Sequence, residues 1–478
     1  MPLVLGVDSS TQSTKVELRD ADDGRLIAAA RAPHPATTPP RSEQDPESWW
    51  QALAAAITAL PRLEVSAIAV AAQQMGLVAL DEAHRPCRPA KLWNDTESSL
   101  ESKRLVEALG PEAWARACGS VPVASFTVTK LAWLKTHEPA AYARLAHACV
   151  PHDWLTLRLT GRLVTDRGDA SGTGWWSPAE GRYRSDLLAM VDAARDWSGV
   201  LPEVLGPLET AGMLTSRARD DLGLRSPGGR AIVAAGTGDN MGAALGMHLS
   251  ARDVVISLGT SGTVYALSDS PTADATGAVG GFADATGHFL PLACTLNATK
   301  VTDAFARLLG LQGPAFEAAA LSAPAGAGGV VLVPYLDGER TPNRPEATGV
   351  LLGLRSNAEP AQLARAAFEG VVCGLLEALD ALVAAGVDTS GRLLLVGGGA
   401  KSPAFRRIVA DLAQRQVNVP GDAELVASGA CVQAAAALHQ RPFDEIATAW
   451  NLGHSERVDP DSQVDADAVR GVYSRAHG

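Results

Sequence analysis

The chain has 478 residues, which is too long for a single hydrophobic core, so two or more domains are expected. Apolar residues make up 46% of the chain and charged residues 20%, a balance typical of globular proteins rather than disordered or fibrous ones. The net charge of −12 argues against a general nucleic-acid or anionic-membrane surface, because either surface needs a basic face. Bound phosphate groups therefore require local donors such as backbone amides, a few cations or a metal ion.

Two further observations concern the compartment. The six cysteines are scattered, and no two stand in a Cys-x-x-Cys or another metal-ligand spacing, so buried thiols are expected rather than a metal site. The first residues form an apolar strand without the basic segment and long apolar stretch of a signal peptide, and no apolar run approaches the thickness of a bilayer. The sequence therefore predicts a cytoplasmic protein.

The N-terminal segment predicts a meander of strands followed by a helix. A hydroxyl-rich turn at 9–13 connects the first two strands, and Asp45 and Pro46 predict the N-cap and first position of the helix. The next strand leads into Gln73-Gln74-Met75-Gly76. The predicted strands are residues 2–8, 14–19, 25–31 and 67–71.

The second half of the chain repeats the hairpin. Strands are predicted at 254–257 and 263–267, around the turn Gly259-Thr260-Ser261-Gly262. The offset between the two hairpins is about half the chain, as a duplicated domain would give. We therefore predict an N-terminal domain at 1–247 and a C-terminal domain at 248–478. Three pairs of identical residues stand at this one offset, namely Thr11 and Thr260, Thr14 and Thr263, and Leu18 and Leu267.

A glycine turn late in the chain predicts a nucleotide platform. A buried strand at 392–396 is followed by Gly397-Gly398-Gly399-Ala400 and by a helix with Ser402 as its N-cap. Gly398, Gly399 and Ala400 would let an adenine or ribose lie flat on the backbone, although close packing of strand and helix also favours glycine. The chain has no GxxxxGK[ST] motif and no Gly-x-Gly-x-x-Gly opening a βαβ unit, which argues against P-loop kinases and Rossmann dehydrogenases.

The two hairpin turns and the preceding carboxylate predict phosphate and metal binding. Small residues let backbone amides approach phosphate oxygens, and hydroxyls add donors. Ordinary hairpin turns favour the same residue types, but the presence of one such turn in each half of the chain favours phosphate binding. Asp8, just before the first turn, is a candidate to hold Mg²⁺ through water, with a turn-forming aspartate as the alternative. The phosphate candidates are Thr11, Gln12, Ser13, Gly259 and Thr260.

The segment around Asp239 predicts a general base. A strand ends in glycines, and a helix begins after Asp239, so the residue is a candidate N-cap. The helix dipole is expected to keep this carboxylate ionised at pH 7. An ionised carboxylate can accept a hydroxyl proton during phosphoryl transfer, and the two roles are compatible.

Together these residues resemble the FGGY carbohydrate kinases of the actin/Hsp70/hexokinase superfamily, over nearly the whole chain. Two stretches, 125–137 and 349–369, are similar to the signature segments of that family. Within the family, the motifs are most similar to the xylulokinase branch. Those motifs are Ser42-Glu43-Gln44-Asp45-Pro46, Leu92-Trp93-Asn94-Asp95, Gly238-Asp239-Asn240, Ser257 to Gly262 and Gly338-Glu339-Arg340-Thr341-Pro342.

The resemblance implies an α/β fold of two RNase H-like (actin-like ATPase) domains flanking a cleft. It implies transfer of the ATP γ-phosphate to D-xylulose, with Asp239 as the base and Asp8 near Mg²⁺. It also implies that Thr11 and Thr260 lie by the phosphates, and that Gly398 and Ala400 lie near the adenosine. Sugar and ATP are the expected partners, and a monomer and a homodimer both stay open.

The predicted sugar contacts are Gln74, Met75, Trp93, Asp239 and Asn240. Xylulokinases usually carry histidine where this chain has Met75, and a thioether cannot offer a strong hydrogen bond to a sugar hydroxyl. The alternatives are therefore a kinase for another ketopentose or polyol, such as L-xylulose, ribulose or arabitol, and a non-transferring actin-like ATPase. A sugar-sensing regulator would need a basic DNA-binding module, and the acidic chain has none.

Overall fold

The structure is a computed structural model that describes residues 2–421 and 424–477. The chain forms two compact units. The first consists of Met1–Leu249, Gly281–Phe289 and Asp422–Gly453, and the second of Ser250–Gly280, Leu290–Gly421 and His454–Gly478. These units differ from the predicted domains at 1–247 and 248–478, because the later segments 281–289 and 422–453 join the first unit.

The first unit is built on a seven-stranded sheet. Three antiparallel strands at one side form the predicted meander, and the first of them pairs in parallel with Ala67–Ala72, which is buried along its whole length. Thr237–Gly238 also pairs in parallel with Ala67–Ala72. The sheet order is Thr210–Met213, Ile232–Ala234, Ala67–Ala72, Leu3–Ser9, Ser13–Asp20 and Leu26–Pro33.

Short strand pairs and helices complete the first unit. The first helix begins at Pro46, and the Asp45 side chain accepts a hydrogen bond from the Glu47 amide, as predicted for an N-cap. The strand pairs are Glu43–Gln44 with Ala90–Lys91, Val78–Leu80 with His147–Cys149, Val164–Asp166 with Glu203–Leu205, and Trp176–Ser177 with Arg182–Tyr183. The helices are Pro46–Thr58, Ser99–Leu109, Pro111–Cys118, Thr127–His137, Pro139–Ala143, Pro151–Thr160, Arg167–Ser171, Ser185–Val191, Ser216–Asp221, Asp239–Gly246, Leu425–His439 and Phe443–Ala449, with a 3₁₀ turn at Pro227–Gly229.

The second unit repeats the arrangement around its own core. Val254–Leu258 pairs antiparallel with Gly262–Ala266 and in parallel with Leu393–Val396. The strand order is Phe289–Thr295, Gly262–Ala266, Val254–Leu258, Leu393–Val396, Val417–Pro420 and Ser455–Val458, and a further short strand of the chain spans Gly280–Ala283. A separate pair joins Val331–Val333 to Val350–Leu352. The helices are Thr299–Leu308, Gly313–Ser322, Pro360–Ala384, Pro403–Ala413 and Ala466–His477, with 3₁₀ turns at Ala327–Gly329 and Gly398–Lys401.

The predicted elements are confirmed, with strand boundaries shifted by one or two residues. Ser402 caps the helix Pro403–Ala413 by accepting from the Phe405 amide. Four cysteines are buried, as expected for structural thiols, whereas Cys87 and Cys294 are half-buried. Among the residues that the structure describes, no helix combines the length and the apolar character needed to cross a membrane.

Glycines allow two helices of the first unit to touch backbone to backbone. A Cβ on Gly429, in Leu425–His439, would lie 1.8 Å from the carbonyl oxygen of Gly242, in Asp239–Gly246. A Cβ on Gly246 would lie 2.1 Å from the Leu425 carbonyl oxygen. No real side-chain carbon fits at such distances, so this packing fixes the axis of the helix that begins at Asp239.

Replacing Gly429 with Ala should therefore lower the melting temperature, because the two helices must move apart to admit a methyl group. Overpacking of this kind costs about 1 to 3 kcal/mol of unfolding free energy. The matched control is Gly471→Ala in Ala466–His477, where the nearest atom to a new Cβ is the end of the Arg475 side chain at 3.4 Å. That change should be neutral or stabilise by about 0.5 to 1 kcal/mol. Equal melting temperatures for the two variants would contradict the packing argument.

Candidate active site

The carboxyl ends of three paired strands bring the predicted polar residues of the first unit to one edge of its sheet. In the parallel register, Asp8 on one side and Thr237 on the other both pair with Ala71. The chain continues from Ala72 into Gln73 and Gln74, and from Gly238 into Asp239. Carboxylates and amides that lie far apart in the sequence therefore meet at this edge.

Asp8 is buried beside a cation. Its carboxylate accepts a hydrogen bond from the Ser10 hydroxyl, and its Oδ2 lies 3.4 Å from Lys15 Nζ, which also contacts Glu424 at 2.7 Å. Burial raises the pKa of Asp8, although the charge of Lys15 opposes this. Sequence reasoning missed Lys15. The signal was the predicted hairpin, because Lys15 is the cross-strand partner of Asp8.

Asp239 is the first residue of its helix, and Gly238 occupies the N-cap position. Its Oδ1 accepts hydrogen bonds from the Asn240 amide nitrogen at 2.9 Å and from Asn240 Nδ2 at 3.0 Å. Burial, and then the negative charge of Asp8, raise the pKa of Asp239 to about 7. The half-buried carboxylate is thus only partly ionised at pH 7, against the expectation that the helix dipole keeps it charged.

Gln74 completes an amide pair with Asn240. Gln74 Oε1 accepts from Asn240 Nδ2 at 3.0 Å, and a Cβ on Gly238 would meet the Gln74 side chain at 2.5 Å, so glycine lets the amide lie against the backbone. Gln74 Nε2 is buried and has no hydrogen-bond partner within the described part of the chain. A buried donor of this kind is costly unless a ligand or water satisfies it.

Trp93 contacts the first hydroxyl-rich turn. Its indole nitrogen donates to Thr11 Oγ1 at 2.9 Å, and Thr11 Oγ1 in turn donates to Gln73 Oε1 at 3.4 Å. The structure thus places Trp93, a predicted sugar-binding residue, in contact with Thr11, a predicted phosphate-binding residue. The other two residues of the turn differ, because Gln12 is exposed whereas Ser13 is buried at the start of the second strand.

Met75 is held in an unusual backbone conformation. Its φ of 59° lies in the left-handed region, which residues other than glycine rarely adopt. The half-buried side chain points towards Gly172, where a Cβ would lie 3.1 Å from Met75 Cγ. Strained residues of this kind cluster at functional sites.

Four of the five predicted nucleotide residues of the second unit line one cavity of about 550 Å³. A Cβ on Gly397 would lie 2.6 Å from the Leu258 carbonyl oxygen, and one on Gly399 2.7 Å from Leu258 Cβ, so packing explains these two glycines. Gly398 differs, because a Cβ there meets open space. Ala400 is buried and does not line the cavity. The predicted residues at its wall are Gly259, Thr260, Gly398 and Gly399.

The fit of ATP and Mg²⁺ to these residues follows from the same contacts. The cavity of the second unit has the volume, the open backbone at Gly398 and the hydroxyl of Thr260 that a nucleotide requires. In the first unit, Asp8 and Asp239 are close enough for one charge to raise the pKa of the other. A hard divalent cation prefers carboxylate and water oxygens and would fit these two carboxylates, although Lys15 already offsets part of the charge of Asp8.

Comparisons with known proteins agree with one another over most of the chain. Residues 3–246 match the family model described as the FGGY family of carbohydrate kinases, N-terminal domain, and residues 254–438 match the C-terminal domain of the same family. The chain is 47% identical to a xylulose kinase of Streptomyces coelicolor over 99% of this chain and 96% of the relative. It is 35% identical to a xylulose kinase of Escherichia coli over 87% of this chain and 86% of that protein.

Solved structures agree as well. The crystal structure of a xylulose kinase from Bifidobacterium adolescentis superposes with a TM-score of 0.87 at 40% identity, covering 100% of this chain and 99% of that one. The structure of Plasmodium falciparum glycerol kinase with ADP superposes with a TM-score of 0.88 at 18% identity, covering 100% and 98%, and indicates a shared fold only. The predicted two-domain α/β fold of the actin-like type is confirmed.

The raised pKa of Asp239 predicts how stability depends on pH. Between the ordinary aspartate pKa near 4 and a pKa of about 7, the folded state binds a proton that the unfolded state has lost, so stability falls as the pH rises through this window. Asp239→Asn cannot ionise and should be more stable than the wild type at pH 8, with a difference that vanishes near pH 4. Because the side chain is partly exposed, we expect about 1 to 2 kcal/mol in urea unfolding.

The control variant for this experiment should show a stability change of the opposite sign at pH 8. The pKa of Asp186 is lowered by its hydrogen bond to Arg184, so Asp186→Asn should lose stability at pH 8 and match the wild type in acid. A difference between Asp239→Asn and the wild type that is the same at pH 5 and pH 8 would contradict the raised pKa.

Proposed function

We propose that this chain, which belongs to the FGGY family of carbohydrate kinases, transfers the γ-phosphate of ATP to D-xylulose and forms D-xylulose 5-phosphate. The observation that carries the proposal is the similarity to xylulose kinases over the full length of the chain. The edge of the first sheet, with Asp8, Gln74 and Asp239, supports it by supplying the groups that proton removal and sugar binding need.

We assign the proton transfer to Asp239. A general base works best when its pKa lies near the operating pH, and a pKa of about 7 meets this condition. The hydrogen bonds from Asn240 hold one carboxylate oxygen, and we assign acceptance of the hydroxyl proton to the other. Phosphoryl transfer needs little covalent chemistry from the protein, so orientation of the hydroxyl and stabilisation of charge are its main contributions.

The remaining roles follow from position in each of the two predicted domains. In residues 1–247, the free donor of Gln74 and the side chains of Asn240, Trp93 and Met75 would bind the sugar. In residues 248–478, Gly259, Thr260 and Gly398 would line the nucleotide site. Asp8 would hold Mg²⁺ through water, and the bound ion would supply neutralisation of the phosphate charge.

The test of the proposal is ADP release from Mg·ATP, measured without sugar and with D-xylulose, L-xylulose, D-ribulose, L-ribulose, glycerol and D-arabitol. We expect D-xylulose to stimulate release strongly, because a bound terminal hydroxyl completes the reacting pair. Stimulation by another compound alone would overturn the choice of sugar. Rapid release that no sugar changes would favour a non-transferring ATPase.

Asp239→Asn is the control that connects this activity to the site. It should reduce turnover with D-xylulose about 10²- to 10⁴-fold, the usual size of a general-base effect. A folded variant with full turnover would refute the role of Asp239.

Met75 gives a specificity prediction. Histidine tolerates the left-handed conformation of this position better than most residues and adds a hydrogen-bonding ring. Met75→His should lower the KM for D-xylulose about 2- to 12-fold, as one net hydrogen bond of about 0.5 to 1.5 kcal/mol would give. Met75→Leu keeps the apolar contact and should leave the KM unchanged. Equal constants for both variants would mean that the side chain at position 75 does not contact the sugar.

A further inference from the structure

A buried cluster of one histidine and three aspartates lies in the first unit next to the segment that leads to Asp239. His152, Asp153 and Asp169 are at most 2% exposed. His152 Nδ1 lies 3.1 Å from Asp169 Oδ2 and 3.3 Å from Asp153 Oδ1. Burial alone would lower the pKa of His152, but hydrogen bonds to these two carboxylates and their charges raise it well above the usual value. The Nδ1 edge of the ring thus faces two carboxylates.

The other nitrogen of the ring reaches the backbone before Asp239. His152 Nε2 donates to the carbonyl oxygen of Ala235 at 2.8 Å. The next residue is Gly236, with φ of +81°, and a Cβ there would lie 2.0 Å from Nε2. The imidazole thus lies directly against the backbone, in a space that only glycine leaves open.

Asp166, the fourth member of the cluster, accepts a hydrogen bond from Thr237, the residue that follows Gly236. Thr237 Oγ1 donates to Asp166 Oδ2 at 2.9 Å, and Asp166 also accepts from the amides of Gly168 at 2.8 Å and Asp169 at 3.0 Å. Side chains of the cluster therefore form hydrogen bonds with two of the four residues that precede Asp239. Thr237–Gly238 then pairs with the central strand, and the helix begins.

We propose that His152 is a positioning residue, whose Nε2–H fixes the Ala235 carbonyl and thereby the turn that presents Asp239 to the sugar hydroxyl. The inference rests on the proposed function, because it assigns His152 a role through the base Asp239. Small displacements of a catalytic group have large effects on rate, since the reacting atoms must lie within a narrow range of distance and angle.

Two substitutions separate the two nitrogens of the ring. The amide nitrogen of glutamine takes the place of Nε2, whereas that of asparagine takes the place of Nδ1. His152→Asn therefore leaves the buried Ala235 carbonyl unpaired, and kcat should fall about 10- to 100-fold. His152→Gln keeps this hydrogen bond, and kcat should stay within about threefold of the wild type. The KM for ATP should not change in either variant.

Stability is measured in parallel, since both variants disturb a buried charge cluster and should melt at lower temperature. Arg19→Gln is the matched control. Arg19 is another buried cation of the same unit, and it too joins a carboxylate, Glu17 at 2.7 Å, to a backbone carbonyl, that of Gly24 at 2.9 Å. It lies at the opposite end of its strand from the turn at Thr11. Arg19→Gln should lower the melting temperature and keep kcat.

Five results would overturn the inference. A fall in kcat that is equal in His152→Asn and His152→Gln, or that Arg19→Gln shares, would mean that turnover follows stability. If His152→Asn keeps full turnover while Asp239→Asn is inactive, only the inference about His152 is refuted. If Asp239→Asn keeps full turnover, both the role of Asp239 and the inference are refuted. A stoichiometric divalent metal in the purified protein that is lost from both His152 variants would make Nδ1 a metal ligand instead.

Discussion

The parallel pairing of the central strand Ala67–Ala72 is the constraint on which the rest of the first unit depends. Leu3–Ser9 lies on one side and Thr237–Gly238 on the other, and both are in register with the same residue, Ala71. Because all three strands end at one edge, Asp8 and Asp239 meet there although 230 residues separate them in the sequence. A shift of one residue in either pairing would turn the side chains of that strand to the opposite face.

That pairing creates an electrostatic conflict, since two carboxylates come together in a buried setting. The start of a helix favours negative charge, but its effect is worth only about 0.3 to 1 kcal/mol at most surface sites. Desolvation and the charge of Asp8 are larger, and the pKa of Asp239 rises to about 7. The same conflict that disfavours a second negative charge at this edge gives Asp239 the pKa that the proposed general base needs at neutral pH.

Local patterns in the sequence predicted the elements well. The hairpins, the caps Asp45 and Ser402, and the glycine turn at 397–400 are all determined by residues within a few positions of one another. The sequence did not predict the cluster around His152, because its members have no distinctive spacing and only the fold joins them to Ala235. The protonation of Asp239 was mispredicted for a similar reason, since burial and the position of Asp8 are tertiary properties.

The late segment 422–453 has a consequence for synthesis of the protein. Its helix Leu425–His439 packs on the first strand so closely that a Cβ on Gly6 would lie 2.1 Å from the Ala427 carbonyl oxygen. The surface that receives this helix is therefore made early on the ribosome and covered only when most of the chain has been translated. Until then an apolar, glycine-rich face of the nascent chain is exposed to water, and such exposed apolar surface favours the binding of a chaperone.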